Sequence, residues 1–122
     1  MEHSFLGKHI LSELYGVSRE KLNNIYYIGK IIKKAAEVSG AQLLSIQKEK
    51  FEPMGVSVIG LLSESHISIH TYPEYESLFF DMFTCGQKCN PEKSLNVLID
   101  YLMPKTIKSN VIERGIKFEI NQ

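Results

Sequence analysis

The 122-residue chain has no tryptophan, few prolines and no excess of either charge: Lys and Arg together number 14, as do Asp and Glu. Nucleic-acid binders usually carry a basic excess or a clustered basic stripe, and this sequence shows neither. No apolar run approaches the roughly 20 residues that cross a bilayer, and the first residues do not form a basic-then-apolar signal peptide. We therefore expect a cytoplasmic protein with no nucleic-acid or membrane partner.

Cysteine is also scarce, since Cys85 and Cys89 are the two in the chain. Two cysteines are too few for a disulfide framework, and without a secretion signal we expect both to be reduced thiols. They lack the second Cys or His pair of a structural zinc site, so their spacing is a weak metal signal. Cys85 closes an apolar segment, where a cysteine is most simply a small buried residue.

The length fits one domain over residues 1–122 with a core of its own. A domain of this size seldom encloses a deep pocket for a drug-sized substrate, because such pockets favour interfaces. If the chain is an enzyme, its site is expected to be shared between subunits.

Hydrophobic periodicity predicts the element order β-α-β-β-β-β-α-β. Asn24 and Gly40 bracket the first helix, and Asn90-Pro91 opens the second, which Pro104 ends. The second strand is expected to alternate through Leu44 and Ile46. The predicted strands cover residues 6–16, 41–51, 56–62, 65–72, 78–85 and 106–112.

Adjacent strands joined by short turns favour antiparallel pairing. The predicted fold class is therefore α+β: a two-layer sandwich in which both helices cover one face of a largely antiparallel sheet.

Residues 65–72 alternate strongly between apolar and polar side chains, which predicts a strand. His66 and His70 are four residues apart, and on a helix this spacing would aim both at one metal ion. On a strand they share a face but lie about 13 Å apart, too far for one ion, so we predict no metal site here. A Ser65–His70–Asp81 triad can be drawn, but the nucleophile-elbow pattern is missing.

Four segments, in this order and spacing, carry a more specific signal. They are residues 7–16 (GKHILSELYG), 51–57 (FEPMGVS), 62–74 (LSESHISIHTYPE) and 81–86 (DMFTCG). Together they resemble the S-adenosylmethionine decarboxylases in their short, pyruvoyl-dependent bacterial and archaeal form. Residues 62–74 resemble the segment at which that family cleaves its own backbone.

The resemblance implies cleavage between Glu64 and Ser65. The Ser65 hydroxyl would attack the preceding carbonyl, and elimination of the resulting ester would leave a dehydroalanine that hydrolyses to a pyruvoyl group. The products would be a beta chain, 1–64, and an alpha chain, 65–122, with the pyruvoyl group at its N-terminus. This covalent group forms a Schiff base with the substrate and acts as an electron sink, so no pyridoxal phosphate is expected.

The resemblance also implies roles for individual residues. His70 matches the proton acceptor in processing, and Ser57 matches a serine that assists it. Cys85 matches the proton donor in decarboxylation. Phe51 and His70 match residues that stack on the two faces of the adenine ring, and Glu74 matches a carboxylate that binds the ribose hydroxyls.

The geometry of a strand conflicts with a site made from one chain. Ser65 and His70 are five residues apart, which gives about 16 Å and places their side chains on opposite faces. A base must come within about 3 Å of its proton or act through one water. We therefore predict a homodimer in which His70, with Phe51, Ser57 and Glu74, serves Ser65 of the other copy.

The expected function is decarboxylation of S-adenosylmethionine to the aminopropyl donor for spermidine. One alternative keeps the pyruvoyl chemistry but acts on arginine or ornithine, as relatives of this fold do. A remote alternative is an uncleaved, non-enzymatic regulatory homologue, which loss of Ser65 or Cys85 would have favoured.

Overall fold

The computed structural model describes residues 5–86 and 89–116. Within them the chain forms six strands, three α-helices and one 3-10 turn. The elements are β1 (Gly7–Tyr15), α1 (Arg19–Leu22), α2 (Ile25–Ser39), β2 (Leu43–Lys50), β3 (Val56–Leu62), β4 (Ser65–Tyr72), the 3-10 turn (Pro73–Tyr75), β5 (Ser77–Cys85), α3 (Pro91–Leu102) and β6 (Thr106–Arg114).

The strands form one sheet in the order β2-β3-β4-β5-β1-β6. Every neighbouring pair is antiparallel. The first strand therefore lies between β5 and β6, far from its sequence neighbour β2. The α+β class and the antiparallel sheet predicted from the sequence are confirmed.

The helices cover one side of this sheet. α2 packs against β2, β3 and β4, and α3 packs against β1, β5 and α2. The core between the layers contains the apolar side of α2 (Ile28, Ile31, Ile32) and the inward residues Ile67 and Ile69 of β4, all 0% exposed. The other side of the sheet, called here the open face, is left without a helix among the described residues.

Both helix starts are capped as the sequence indicates. The Asn24 side chain accepts hydrogen bonds from the backbone N–H groups of Tyr26 and Tyr27, and the Asn90 side chain accepts one from Glu92. Gly40 ends α2 with φ 89°, in the left-handed region that glycine adopts without a Cβ clash. These caps fix where the chain turns from helix back to sheet.

Two local features differ from the predictions. The short helix α1 was not predicted; the Ser18 side chain caps it, and its last residue, Leu22, is 0% exposed. In β2 the pairing register shifts between Leu43 and Ser45, so Leu43 and Ile46 pack on the core and Leu44 is exposed. The strict alternation expected through Leu44 was wrong because a bulge adds one residue to the strand.

No helix in the described ranges is long and apolar enough to cross a membrane.

Replacement of Asn24 by alanine tests the first cap. We expect Asn24→Ala to lower the free energy of unfolding by about 1 kcal/mol, because two N–H groups at the start of α2 lose their acceptor. Urea denaturation followed by circular dichroism measures this. The control, Asn96→Ala, changes an exposed position inside α3 and should cost nothing. Equal losses in the two variants would contradict the cap's contribution.

Candidate active site

The alternation of β4 divides its side chains between the two faces of the sheet. Ser65 is buried on the helix side with Ile67 and Ile69, whereas His66 and His70 are half-buried on the open face. Ser65 and His70 therefore lie on opposite faces. Their separation along the strand is about 16 Å, as five residue steps require.

Glu64, Ser65 and Cys85 form one group, called here the cut-site cluster. Glu64 occupies the turn between β3 and β4 with φ 64°. The Cys85 backbone N–H donates to Ser65 Oγ at 3.2 Å, and the Cys85 thiol donates to the Glu64 carbonyl oxygen at 3.4 Å. Cys85 thus contacts both residues of one peptide bond, and its thiol is placed to polarise that bond's carbonyl group.

Phe51, Ser57, His70 and Glu74 lie toward the other end of β4 and are called here the histidine cluster, in which Ser57 and His70 are in contact. Ser57 and His70 are register partners on β3 and β4, and Ser57 Oγ lies 2.7 Å from His70 Nδ1. This contact uses Nδ1, so Nε2 is the ring nitrogen available for an incoming group. Phe51, 48% exposed, follows β2, and Glu74 lies exposed in the 3-10 turn after β4.

The two clusters lie at opposite ends of β4. At one end Leu62 pairs with Ser65, and at the other Ser57 pairs with His70. The residues named from the sequence are therefore brought together in two sets, and one chain does not bring His70 to Ser65.

A third polar group lies on the open face between them, and we call it the Asp81 network. Asp81 Oδ2 is 2.8 Å from His9 Nε2 and 3.2 Å from His66 Nε2, and Asp81 Oδ1 accepts from Ser68 Oγ. Burial alone would raise the pKa of Asp81, but the hydrogen bonds from Ser68, His9 and His66 outweigh it and lower that pKa. Asp81 is therefore a carboxylate at neutral pH.

The hydrogen-bond donors of the Asp81 network decide whether it is a metal site or a set of hydrogen bonds. The ligand atoms of His9, His66 and Asp81 lie within 4.8 Å of one another, a spacing that a metal ion could use. Arg114 Nη1, however, lies 3.4 Å from His9 Nδ1, and a guanidinium can only donate. His9 Nδ1 is then the acceptor and Nε2 carries the proton, which favours a hydrogen bond to Asp81 over a metal bond.

A cavity of about 370 Å³ opens on the same face. Its lining includes His70 from the histidine cluster, Asp81 from the network, and Leu11, Glu13 and Phe79. A cavity on an otherwise flat sheet face becomes enclosed only when something covers the sheet.

The chain matches a family of known proteins over most of its length. A family model described as S-adenosylmethionine decarboxylase matches residues 8–115. The chain belongs to the S-adenosylmethionine decarboxylase family. This confirms the resemblance seen in the four sequence segments.

Curated members of the S-adenosylmethionine decarboxylase family match the chain almost end to end. An S-adenosylmethionine decarboxylase proenzyme 2 of Bacillus cereus is 39% identical over 121 residues, which are 99% of this chain and 98% of the relative. The S-adenosylmethionine decarboxylase proenzyme of Methanococcus aeolicus is 40% identical over 119 residues, 98% of this chain and 100% of the relative.

Two solved structures have the same fold. The adenosylmethionine decarboxylase of Aquifex aeolicus is 36% identical with a TM-score of 0.88, and the match covers 98% of this chain and 99% of that one. The Trypanosoma brucei AdoMetDC-delta26 monomer is 15% identical with a TM-score of 0.65. That match covers 85% of this chain but 45% of the other, and at this identity it shows the fold alone.

Sequence reasoning missed part of this constellation. His9 stands in a matched segment of this decarboxylase-family chain, but nothing local links it to Asp81, 72 positions away. The link needs the pairing of β1 with β5, in which His9 is the partner of Phe83. Ser68, by contrast, could have been placed on the face of His66 and His70 from the period of two alone.

The lowered pKa of Asp81 predicts a pH-dependent stability. A depressed pKa adds stability above the unfolded value, near 4, that is lost as pH falls through the folded value. We expect Asp81→Asn to lower the free energy of unfolding by about 1–3 kcal/mol at pH 7, and the deficit to shrink below about pH 4. Urea titrations at a series of pH values measure it.

Asp100→Asn is the matched control, because Asp100 is exposed on α3. Its effect should stay near zero throughout. A deficit for Asp81→Asn that is the same at pH 7 and pH 3 would contradict the assignment of an ionised Asp81.

Proposed function

We propose that the chain is a proenzyme that cuts its backbone between Glu64 and Ser65. The fragments 1–64 and 65–122 then decarboxylate S-adenosylmethionine to the aminopropyl donor for spermidine synthesis. The observation that carries this proposal is the pair of contacts from Cys85, one to Ser65 Oγ and one to the Glu64 carbonyl oxygen. Membership of the decarboxylase family supports it.

The cut-site cluster suits the cleavage chemistry. As Ser65 Oγ attacks the Glu64 carbonyl carbon, negative charge develops on the oxygen to which the Cys85 thiol donates. The hydroxyl proton of Ser65 passes to the Ser65 nitrogen and the C–N bond breaks, which leaves an ester between Glu64 and the Ser65 side chain and a free amine on residue 65. A base removes the Cα proton of residue 65, and Glu64 departs as a carboxylate. Hydrolysis, with water consumed and ammonia released, completes the pyruvoyl group.

A buried hydroxyl supports the fit of that group. Thr84 is 1% exposed, and its Oγ1 has no hydrogen-bond partner in the described residues. His66 pairs with Phe83, so by register Thr84 lies opposite residue 65. A ketone oxygen at residue 65 would give this hydroxyl an acceptor, which removes the cost of a buried unpaired donor.

When present, the pyruvoyl group would supply the electron sink for loss of CO₂. The chain's own residues would do the rest. Cys85, which contacts the cut site, would return a proton to the substrate carbon, and its thiol must stay reduced for this, which favours the cytoplasm. No pyridoxal phosphate and no metal ion enter this scheme.

The separation of the two clusters leads to a homodimer. A two-fold axis lying between two stacked sheets, at right angles to the strands, would bring the histidine cluster of one copy over the cut-site cluster of the other. His70, oriented through Nδ1 by Ser57, would then be the proton acceptor in processing. Phe51, His70 and Glu74 of that copy would hold the nucleoside of S-adenosylmethionine.

The surface of the open face supports this assembly. Its alternate positions expose large apolar side chains, a composition typical of protein interfaces rather than of water-facing sheets. Each is 37–54% exposed: Leu11, Tyr15, Ile59, Leu61, Tyr72, Phe79 and Ile112.

The cleavage is tested by Ser65→Ala, with Ser63→Ala in the same turn as the matched control. Purified wild type and Ser63→Ala should give two fragments divided after Glu64, whereas Ser65→Ala should stay intact because it lacks the nucleophile. Intact-mass spectrometry measures this. The cleaved protein should release CO₂ from S-adenosylmethionine.

The other outcomes separate the alternatives. Release of CO₂ from arginine or ornithine instead would keep the cleavage and overturn the substrate. A wild-type chain that stays whole and releases no CO₂ would identify a non-enzymatic homologue. Cleavage of Ser65→Ala at the same bond would show that Ser65 is not the nucleophile.

Co-expression of two inactive variants tests the composite site. Ser65→Ala lacks the nucleophile and His70→Ala lacks the base, so neither should process when expressed alone. In the mixed dimer, one site combines the intact Ser65 with the intact His70 of the other copy. Up to about half of the His70→Ala chains should then be cleaved if copies mix at random, and intact mass distinguishes the chains.

The Ser65→Ala chains should remain whole in the same mixture, which serves as the internal control. A mixture in which no His70→Ala chain is cleaved, although mixed dimers are present, would contradict the shared site.

A further inference from the structure

The hydrogen bonds from Cys85 at the cut site depend on atoms that processing removes or separates, whereas the pairing of β4 with β5 begins at His66 and Phe83 and survives. Cys85 N–H donates to Ser65 Oγ, an oxygen that leaves with Glu64. The Cys85 thiol donates to the Glu64 carbonyl, which ends on the other fragment. The turn that joins β3 to β4 is also cut. The proposed reaction therefore loosens the first residue of the new chain, which must carry the reactive group, and chain ends fray unless they are tied down.

Among the described residues, two side-chain hydrogen bonds near this end survive the cut, and both go to Asp81. His66, the second residue of the new chain, is 3.2 Å from Asp81 Oδ2 through its Nε2. Ser68, the fourth residue, donates to Asp81 Oδ1. The two oxygens of the Asp81 carboxylate thus bind the side chains of His66 and Ser68 at the start of β4. Hydrogen bonds to a charged acceptor are stronger than those between neutral groups.

The network also restrains His66 sideways. Its ring lies 5.6 Å from the His9 ring, edge-on, and 6.2 Å from the Phe83 ring. His9, on β1, donates to the same Asp81 oxygen. Asp81 is therefore tied from both neighbouring strands, and its position does not depend on the new chain end.

From these contacts we infer that Asp81 is a positioning residue that holds the N-terminal end of chain 65–122 beside Cys85 once the backbone has been cut. The inference rests on the proposed cleavage at Glu64–Ser65. Asp81 and Cys85 belong to the same strand, β5, so the tie sets the distance between residue 65 and the proposed proton donor. Misplacement by about 1 Å at a reacting centre is enough to cost up to about 100-fold in rate.

Hydrogen exchange on a matched set of four proteins tests this. The set is wild type and Asp81→Asn, which are cleaved, and Ser65→Ala and Ser65→Ala/Asp81→Asn, which stay intact. Exchange is read relative to the amides of Ile31 and Ile32 in the core, which report the general loss of stability. On this scale the amides of residues 66–68 should exchange at least about 10-fold faster in Asp81→Asn in the cleaved pair, and less than about 3-fold faster in the intact pair, since the covalent turn still holds β4. An equal effect in both pairs would mean a general structural role and overturn the inference.

Two aromatic replacements sharpen the comparison. His66→Phe keeps a ring against Phe83 but removes the N–H that ties the new end, so it should reproduce the exchange effect of Asp81→Asn. His9→Phe removes a donor to the same oxygen from β1, and on the same relative scale residues 66–68 should stay within about 3-fold of wild type. Matching effects from both replacements would overturn the inference.

Kinetics of the cleaved proteins give a second readout. Asp81→Asn should lower kcat about 10- to 100-fold with KM changed less than about 3-fold, because the nucleoside would be held by the other copy. A change in KM alone, or an Asp81→Asn chain that remains uncut, would overturn the positioning role. A wild-type chain that remains uncut would instead overturn the proposed function itself.

Discussion

The period of two along β4 is the constraint on which the rest of the structure depends. Every second residue of this central strand, beginning with Ser65 and Ile67, faces the helices and closes the core. The intervening residues, His66, Ser68 and His70, are thereby forced onto the open face. One strand therefore supplies both core residues and polar residues of the candidate site. The same alternation places Ser65 and His70 on opposite faces of the sheet. A shift of one residue would bury three polar side chains and expose the core.

The open face has a hydrogen-bonded polar centre surrounded by exposed apolar side chains. The apolar side chains explain why this face needs a cover. At its centre the Asp81 carboxylate receives hydrogen bonds from His9 on β1 and from His66 and Ser68 on β4, so its charge is already paired before any cover is added. Around it, side chains such as Ile59, Leu61 and Phe79 remain about half exposed. A second sheet laid on this surface would bury the apolar rim without leaving the charge unpaired.

Much of the fold could be read from the sequence because its signals are local. The caps at Asn24 and Asn90 and the alternation of β4 are each contained in a few consecutive residues. The candidate site could be predicted only in part. Glu64, Ser65 and Cys85 were identified from sequence motifs, but their contacts depend on the turn and on the strand register. His9 was missed because its partner is set by the insertion of β1 beside β5. The bulge near Leu44 was missed because Leu43 and Leu44 are both apolar, so the sequence does not tell which of them faces the core.

The turn at Glu64 shows what backbone geometry can and cannot contribute to the proposed cleavage. A non-glycine residue at φ 64° stores about 1–2 kcal/mol, which cleavage would release. That energy corresponds to about a tenfold change in rate, far short of what breaking a peptide bond requires. The value of the turn is therefore directional, because it aims the Glu64 carbonyl at the Cys85 thiol. Most of the acceleration of the proposed cleavage would have to come from carbonyl polarisation and a base, and a single copy of this chain does not bring the proposed base, His70, to Ser65.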